Sequence, residues 1–316
     1  MRGYAEAIRA RKRQNRAIIV ADVRRFGHVI NTDGVLGTHT LRCKAYNWEM
    51  AMIVRYESDG SIVMITQNDH AQLSGLFAAH WGNEKFEKPR PYPSLVRAAM
   101  FHDRGWIRYE TSPQLNLETG KTPNYREVPN DKTQLEAFEW AGDWLSATDP
   151  YAGLMITKHR SGLWQGRYGV ITYPPAIQRG TLPQAIQEFI ARSEAKQKVA
   201  AEKFDAKEFA INYNLLQVWD MMSLYICSTE VLKPDKIEPV PMSYSGAAGV
   251  GMTLTPVEAN TIALDPYPFD QLSLTTNVIF RRLPQTKFKD STELQTVYFK
   301  TAPQIASFRL VPAAAH

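Results

Sequence analysis

The period of the hydrophobic pattern changes along this chain, and that change constrains the fold most. Between residues 68 and 228 apolar side chains recur at helical spacing. After Pro234 the text breaks into short β-rich runs between Pro, Gly and Asp turns. Upstream, Met52-Ile53-Val54-Arg55-Tyr56 and Ser61-Ile62-Val63-Met64-Ile65 flank Ser58-Asp59-Gly60, a hairpin signal. The order is hairpin, helices, strands. It predicts a mainly α protein of the α+β kind.

Helices are expected over residues 68–81 (Asn68 or Asp69 as cap), 94–103, 131–145 (Asp131 as cap), 150–164, 183–204 and 205–228. Strands are expected at 240–244, 251–254, 261–264, 272–281, 294–299 and 305–311. Residues 1–49 read differently. They hold ten basic and four acidic side chains, so the formal charge of +5 belongs to this segment and the remainder is close to neutral. We expect 1–49 to be an atypical basic extension, disordered or upstream of a true start at Met50 or Met52. Residues 50–233 would then be the hairpin plus helical domain, and 234–316 a C-terminal β segment packed on it.

The body of the chain therefore gives no general electrostatic argument for nucleic acid. No apolar stretch approaches the roughly 20 residues of a membrane span, and the run at 17–21 is too short for a signal peptide. Two cysteines, Cys43 and Cys227, cannot build a disulfide framework or a four-cysteine zinc site. A cytoplasmic location is the expectation. There is no Gly-x-Ser-x-Gly elbow and no Walker loop. Gly246-Ala247-Ala248-Gly249-Val250-Gly251 has no following Lys-Ser/Thr and reads as a turn.

Of seven histidines, His70, His80, His102 and His159 fall in the helical region. His102-Asp103 is followed by Gly105-Trp106. Adjacent residues diverge by about 100° on a helix, so both can face one ion where the helix ends, and Gly105 supplies an ending. Imidazole with carboxylate suits a divalent transition metal. Asp220 lies in the apolar run Leu215–Ile226, where a carboxylate is costly unless paired or bound to metal. His70 opens one helix and His159 lies in another. His80 lies ten residues after His70, about 15 Å away at ~1.5 Å rise per residue, and cannot share its ion on a continuous helix. Arg104, Lys158 and Arg160 flank these positions and could bind an anion, and Trp106 could line a pocket.

The order His70, His102-Asp103, His159, Asp220 resembles the HD superfamily of metal-dependent phosphohydrolases. The wording around those positions looks closer still to an uncharacterised bacterial family of unknown function with an HD-like helical core. The matching text is Gln67-Asn68-Asp69-His70-Ala71, His80-Trp81-Gly82, His102-Asp103-Arg104-Gly105-Trp106, Asp149-Pro150-Tyr151-Ala152, Asp220-Met221-Met222-Ser223-Leu224 and Pro266-Tyr267-Pro268-Phe269, within about 52–285.

The resemblance implies an HD-like helical bundle, with the N-terminal hairpin and a C-terminal antiparallel β segment as additions. It implies His70, His102, Asp103 and Asp220 as ligands of a divalent ion (Mn, Fe, Co, Ni, Zn or Mg). Asp103 would also orient the attacking water. The substrate class it implies is a small phosphoester or nucleotide. Dinuclear HD proteins usually add two histidines before the last Asp. Here His159 stands alone, which points to one ion with His159 facing the substrate. Two other functions stay open: a di-iron oxygenase, and a non-catalytic metal-binding or interaction domain.

Overall fold

The computed structural model describes residues 52–127, 132–164 and 182–314. The segment 1–49 and the expected cap Asp131 lie outside them. The hairpin forms where the turn residues put it. β1 (Met52–Tyr56) pairs antiparallel with β2 (Ile62–Thr66). The turn closes through Asp59, whose Oδ1 accepts from Ser61 N at 2.9 Å, and Gly60 takes φ +82°. That left-handed conformation costs a glycine little.

Helices follow as α1 (Gln67–His80), α2 (Tyr92–Phe101), a 3-10 turn (Arg104–Trp106) and the short α3 (Ile107–Glu110). A second 3-10 turn covers Tyr125–Glu127. Then come α4 (Lys132–Ser146), α5 (Pro150–Trp164), α6 (Gln184–Ala201) and α7 (Ala206–Cys227). The cap of α1 is Thr66, two or three residues earlier than the sequence suggested. Its Oγ1 accepts from Asp69 N at 2.8 Å and donates to Asp69 Oδ2 at 2.6 Å, a reciprocal cap of the Thr-x-x-acid kind.

The last third holds β3 (Asp235–Val240), β4 (Val250–Glu258), β5 (Thr261–Asp265), β6 (Leu274–Leu283), α8 (Ser291–Lys300) and β7 (Gln304–Pro312). The strand expected at 294–299 is the helix α8. Asp290 accepts from Glu293 N at 2.9 Å to start it, and Leu294 and Tyr298, four apart, bury one face.

The HD-like helical bundle with β additions is not what the chain builds. All described strands join one seven-stranded sheet in the order β1-β2-β6-β7-β5-β4-β3. The pairs are antiparallel except β5–β7, which is parallel. The hairpin enters this sheet because β2 pairs with β6, Ile62 opposite Leu283 and Met64 opposite Arg281. The fold is α+β with a large mixed sheet.

The physical reason is the apolarity of β1 and β2 on both faces. Ile53, Val63 and Ile65 join the core under the helices. Met52, Val54, Ile62 and Met64 join a separate cluster with Leu115, Leu283, Leu294 and Tyr298. A strand apolar on both faces needs cover on both. The main core spans Phe77, Leu95, Met155 and Trp219 from the helices and Met252, Ile262, Leu264 and Val278 from the sheet.

Candidate metal centre

Five side chains from four helical regions meet in the interior. α1 is anchored at its first turn by Glu110 of α3. Glu110 Oε1 accepts from Asn68 N at 3.0 Å and Oε2 from Asn68 Nδ2 at 2.6 Å. This places His70 two residues further on, fully buried.

α1 approaches α2 closely at Gly75, where a Cβ would lie 2.1 Å from Met100 Cγ. α2 ends at Phe101, and His102 is its C-cap (φ −58°, ψ −29°). Asp103 (φ −107°, ψ 19°) leaves helical geometry and begins the 3-10 turn. The bend lets the adjacent imidazole and carboxylate face one point, as their position at a helix end implied. His159 comes from the middle of α5 and Asp220 from the middle of α7. None of the five exceeds 6% exposure.

The contacts are close. His70 Nε2 lies 2.9 Å from Asp103 Oδ2 and 3.9 Å from Asp220 Oδ1. His102 Nε2 lies 3.4 Å from Asp220 Oδ1 and 3.5 Å from Asp103 Oδ2, with a well-formed hydrogen bond to neither. His159 Nε2 lies 4.0 Å from Asp103 Oδ1. Away from the cluster, His102 Nδ1 is 2.8 Å from the Ala99 carbonyl. A carbonyl can only accept, so Nδ1 carries a proton and Nε2 is the nitrogen turned inward toward the carboxylates.

Burial disfavours charge on His102, but the carboxylates of Asp103 and Asp220 outweigh it and raise its pKa to about 9. Asp103 and Asp220 are held below the usual carboxylate range, because the imidazoles, His102 foremost, overcome their burial. Burial and the charge on His102 push His159 down to about 4. Two overlapping sets of donor atoms, each within 4.8 Å, could hold a metal: His70, His102 and Asp220, and His102, Asp103 and His159.

The other sequence candidates lie around this cluster in different states. Arg104 is half-buried over the Trp144 ring, 5.5 Å from its centroid. Lys158 lies 5.0 Å from the Tyr213 ring. Arg160 is boxed by Phe138, Trp164 and Trp106, at 4.0, 4.4 and 5.0 Å. It also donates to Gln134 Oε1 at 3.2 Å, and burial lowers its pKa to about 10. Trp106 packs edge-on to Phe138 in the same cluster. His80 pairs with Asp270 at 3.1 Å, away from the cluster.

Sequence reasoning gave no role to Glu110, Ser223, Ser74 or Tyr125. Ser223 Oγ lies 2.7 Å from His70 Nδ1. Tyr125, its phenol pushed up first by burial, feels the charges of Asp220 and Asp103. The spacings of Ser223 three after Asp220 and of Ser74 four after His70 are same-face helical spacings, and they were the available signal.

The fold and the cluster define an α+β protein with a buried two-imidazole, two-carboxylate centre and a third imidazole beside it. The chain belongs to the family described as protein of unknown function (DUF3891), whose model matches residues 52–285. No curated protein and no solved structure matches it. Among the described residues no helix is long and apolar enough to cross a membrane.

Proposed function

We propose that this protein binds a divalent metal ion through His70, His102, Asp103 and Asp220 and uses it to hydrolyse a small phosphoester. One observation carries the metal reading. Two imidazole Nε2 atoms and two carboxylate oxygens converge in the interior, with nitrogen–oxygen distances of 2.9–3.9 Å. Such a set is repulsive unless a proton or a cation sits among it. Two nitrogens and two hard oxygens suit Mn, Fe, Co, Ni or Zn, and Mg less well. The large sheet removes the HD-like bundle as support, so the reading rests on the donor set and on the motif order.

A divalent ion held there supplies Lewis acidity toward a phosphoryl oxygen and makes water nucleophilic near neutral pH. His70 and His102 hold the ion through Nε2, and Asp220 balances its charge. Asp103 turns Oδ2 to that side and Oδ1 toward His159, from where it orients the attacking water. His159 stays neutral at pH 7 and faces the substrate. Arg104 and Lys158 supply positive charge for an anionic group. Arg160, committed to its aromatic box, holds the wall behind them.

The experiment is elemental analysis of purified wild type beside His102→Ala, Asp220→Ala and His80→Ala. We expect about one ion per wild-type chain. Loss is expected in the first two variants with helical circular dichroism kept, and retention in His80→Ala. Stoichiometric metal in Asp220→Ala refutes the ligand set. A metal-loaded wild type inert to a broad phosphate-ester panel refutes the hydrolase half and favours a binding role. The second donor set, with His159 and Asp103, favours one further reading, a dinuclear oxygen-activating centre. About two irons per chain with a visible absorption band would select it.

A further inference from the structure

A second concentration of unusual side chains lies on the outer surface of α4 and of α3 beside it. Ala141 and Gly142 of α4 are buried, which leaves Trp140 and Trp144, four positions apart, on the outer face. Their rings stack, with centroids 6.2 Å apart and planes 23° apart. They stay 37% and 38% exposed. Core packing does not account for two tryptophans left in water together. Tryptophan and arginine are the residue types that most often carry binding energy at a surface.

Two guanidinium groups run alongside. Arg104 and Arg108 are also four positions apart, about one helical turn or roughly 5–6 Å. Arg104 lies over the Trp144 ring at 5.5 Å and Arg108 over the Trp140 ring at 5.7 Å. Phe101 ends the row, edge-on to Trp144 at 5.2 Å. The charges nearby do not cancel these two. All three carboxylates of α4 are already taken: Glu136 by Lys132, Glu139 by Arg192 and Asp143 by Lys196. Among the described residues neither Arg104 nor Arg108 forms an ion pair.

We propose that this row is a platform for single-stranded nucleic acid. Bases stack against Trp140 and Trp144, and the phosphates that join them meet Arg108 and Arg104. Rings and cations repeat here in parallel with the same step. A nucleic-acid strand offers that repeat, one ring and one negative charge per unit. An acidic protein segment carries charge without a ring in step with it. Indole stacks on any base, and guanidinium both pairs with phosphate and stacks. The near-neutral body of the chain gives no general reason to expect nucleic acid, but this local surplus of two positive charges does. The platform stands independently of the metal reading. It begins at Arg104, the residue after the proposed ligand Asp103.

The test uses the full chain with a chelator present, so that no ion contributes. Fluorescence anisotropy follows a labelled oligothymidylate of about eight nucleotides, within the usual range of site sizes. We expect binding by wild type that weakens with salt. Trp140→Ala and Trp144→Ala should each weaken it by about 5–100-fold, the usual worth of one stacked base. Arg108→Gln should reduce the slope of log affinity against log salt by about 0.7, one phosphate contact on a single strand. Trp140 and Arg108 are exposed, and circular dichroism with a melting curve checks that their variants fold.

The basic segment 1–49 is a rival site for any polyanion, and the variants separate the two. Wild-type affinity in folded Trp140→Ala, with an unchanged salt slope in Arg108→Gln, places the strand elsewhere and overturns the proposal. A wild type that binds no oligonucleotide at low salt overturns it too. A glutamate–tyrosine copolymer that binds more tightly than the oligonucleotide, and loses affinity in Trp140→Ala, assigns the row to an acidic protein partner instead. Failure of the protein to take up metal refutes the metal reading and leaves the platform standing.

Discussion

Glu110 is a carboxyl group held out of water against the first amides of α1. Burial raises its pKa to about 8, and the hydrogen bonds from Asn68 only partly offset this. The folded state thus holds a proton that the unfolded chain gives up near pH 4.5. Between about pH 4.5 and 8 the native state binds more protons, so this group's contribution falls as pH rises. Glu110→Gln removes that slope. It also loses one of the two hydrogen bonds to Asn68, so it should be less stable at pH 5, with the gap closing toward pH 9. Melting temperatures across that range check it, and parallel curves for the two proteins would refute the protonated Glu110. The five cluster residues were legible in the sequence because each is chemically conspicuous. Asp220 is a charge in an apolar helix, and His102-Asp103 stands at a helix end. Ser223 and Ser74 were not, because a helical serine is unremarkable until one knows which helix it faces.

Among the elements, the turn after α2 decides how His102 and Asp103 are aimed. Gly105 sits in it, where the sequence offered a glycine as the helix ending. Its φ is not positive. A Cβ there would lie 2.4 Å from Phe138 Cδ1, so the glycine is required by close approach to α4. Gly105→Ala should cost about 1–3 kcal/mol, as overpacking against a ring that cannot easily retreat. Calorimetry reads the loss, and an unchanged melting temperature would contradict it. The long helices were readable from apolar spacing and caps, with ends displaced by a few residues. α8 was misread because Leu294–Phe299 carries Val, Tyr and Phe, strand-formers by composition. The Asp290-Ser291-Thr292-Glu293 cap decides for helix.

At the scale of the whole molecule, the sheet is what local reading could not deliver. The hairpin was visible, but its partner β6 was not, since Ser61 and Arg282, which bond across that seam, are 221 positions apart. The clue was present in the hairpin's own composition: apolar residues at consecutive positions demand two covering layers. The same fact predicts that a fragment of residues 50–233 will not fold alone. It would leave Ile53, Val63, Phe77 and Trp219 without Met252, Leu264 and Val278. We expect helical far-ultraviolet signal with weak near-ultraviolet signal and strong dye binding. A sharp cooperative melt from that fragment would show an independent helical domain.

The β2–β6 seam also bears on how the chain is made. On the ribosome, β2 emerges long before the strand it must lie beside, and no neighbouring segment can stand in for it. The hairpin leaves the exit tunnel with both apolar faces uncovered, and the face that Leu283, Leu294 and Tyr298 cover stays so while the helices are synthesised. A chain with so distant a closure folds late and is sticky while it waits. Its yield in a cell is therefore set by how well the nascent hairpin is shielded, and a holdase that grips short apolar strands should raise that yield more than any gain in final stability.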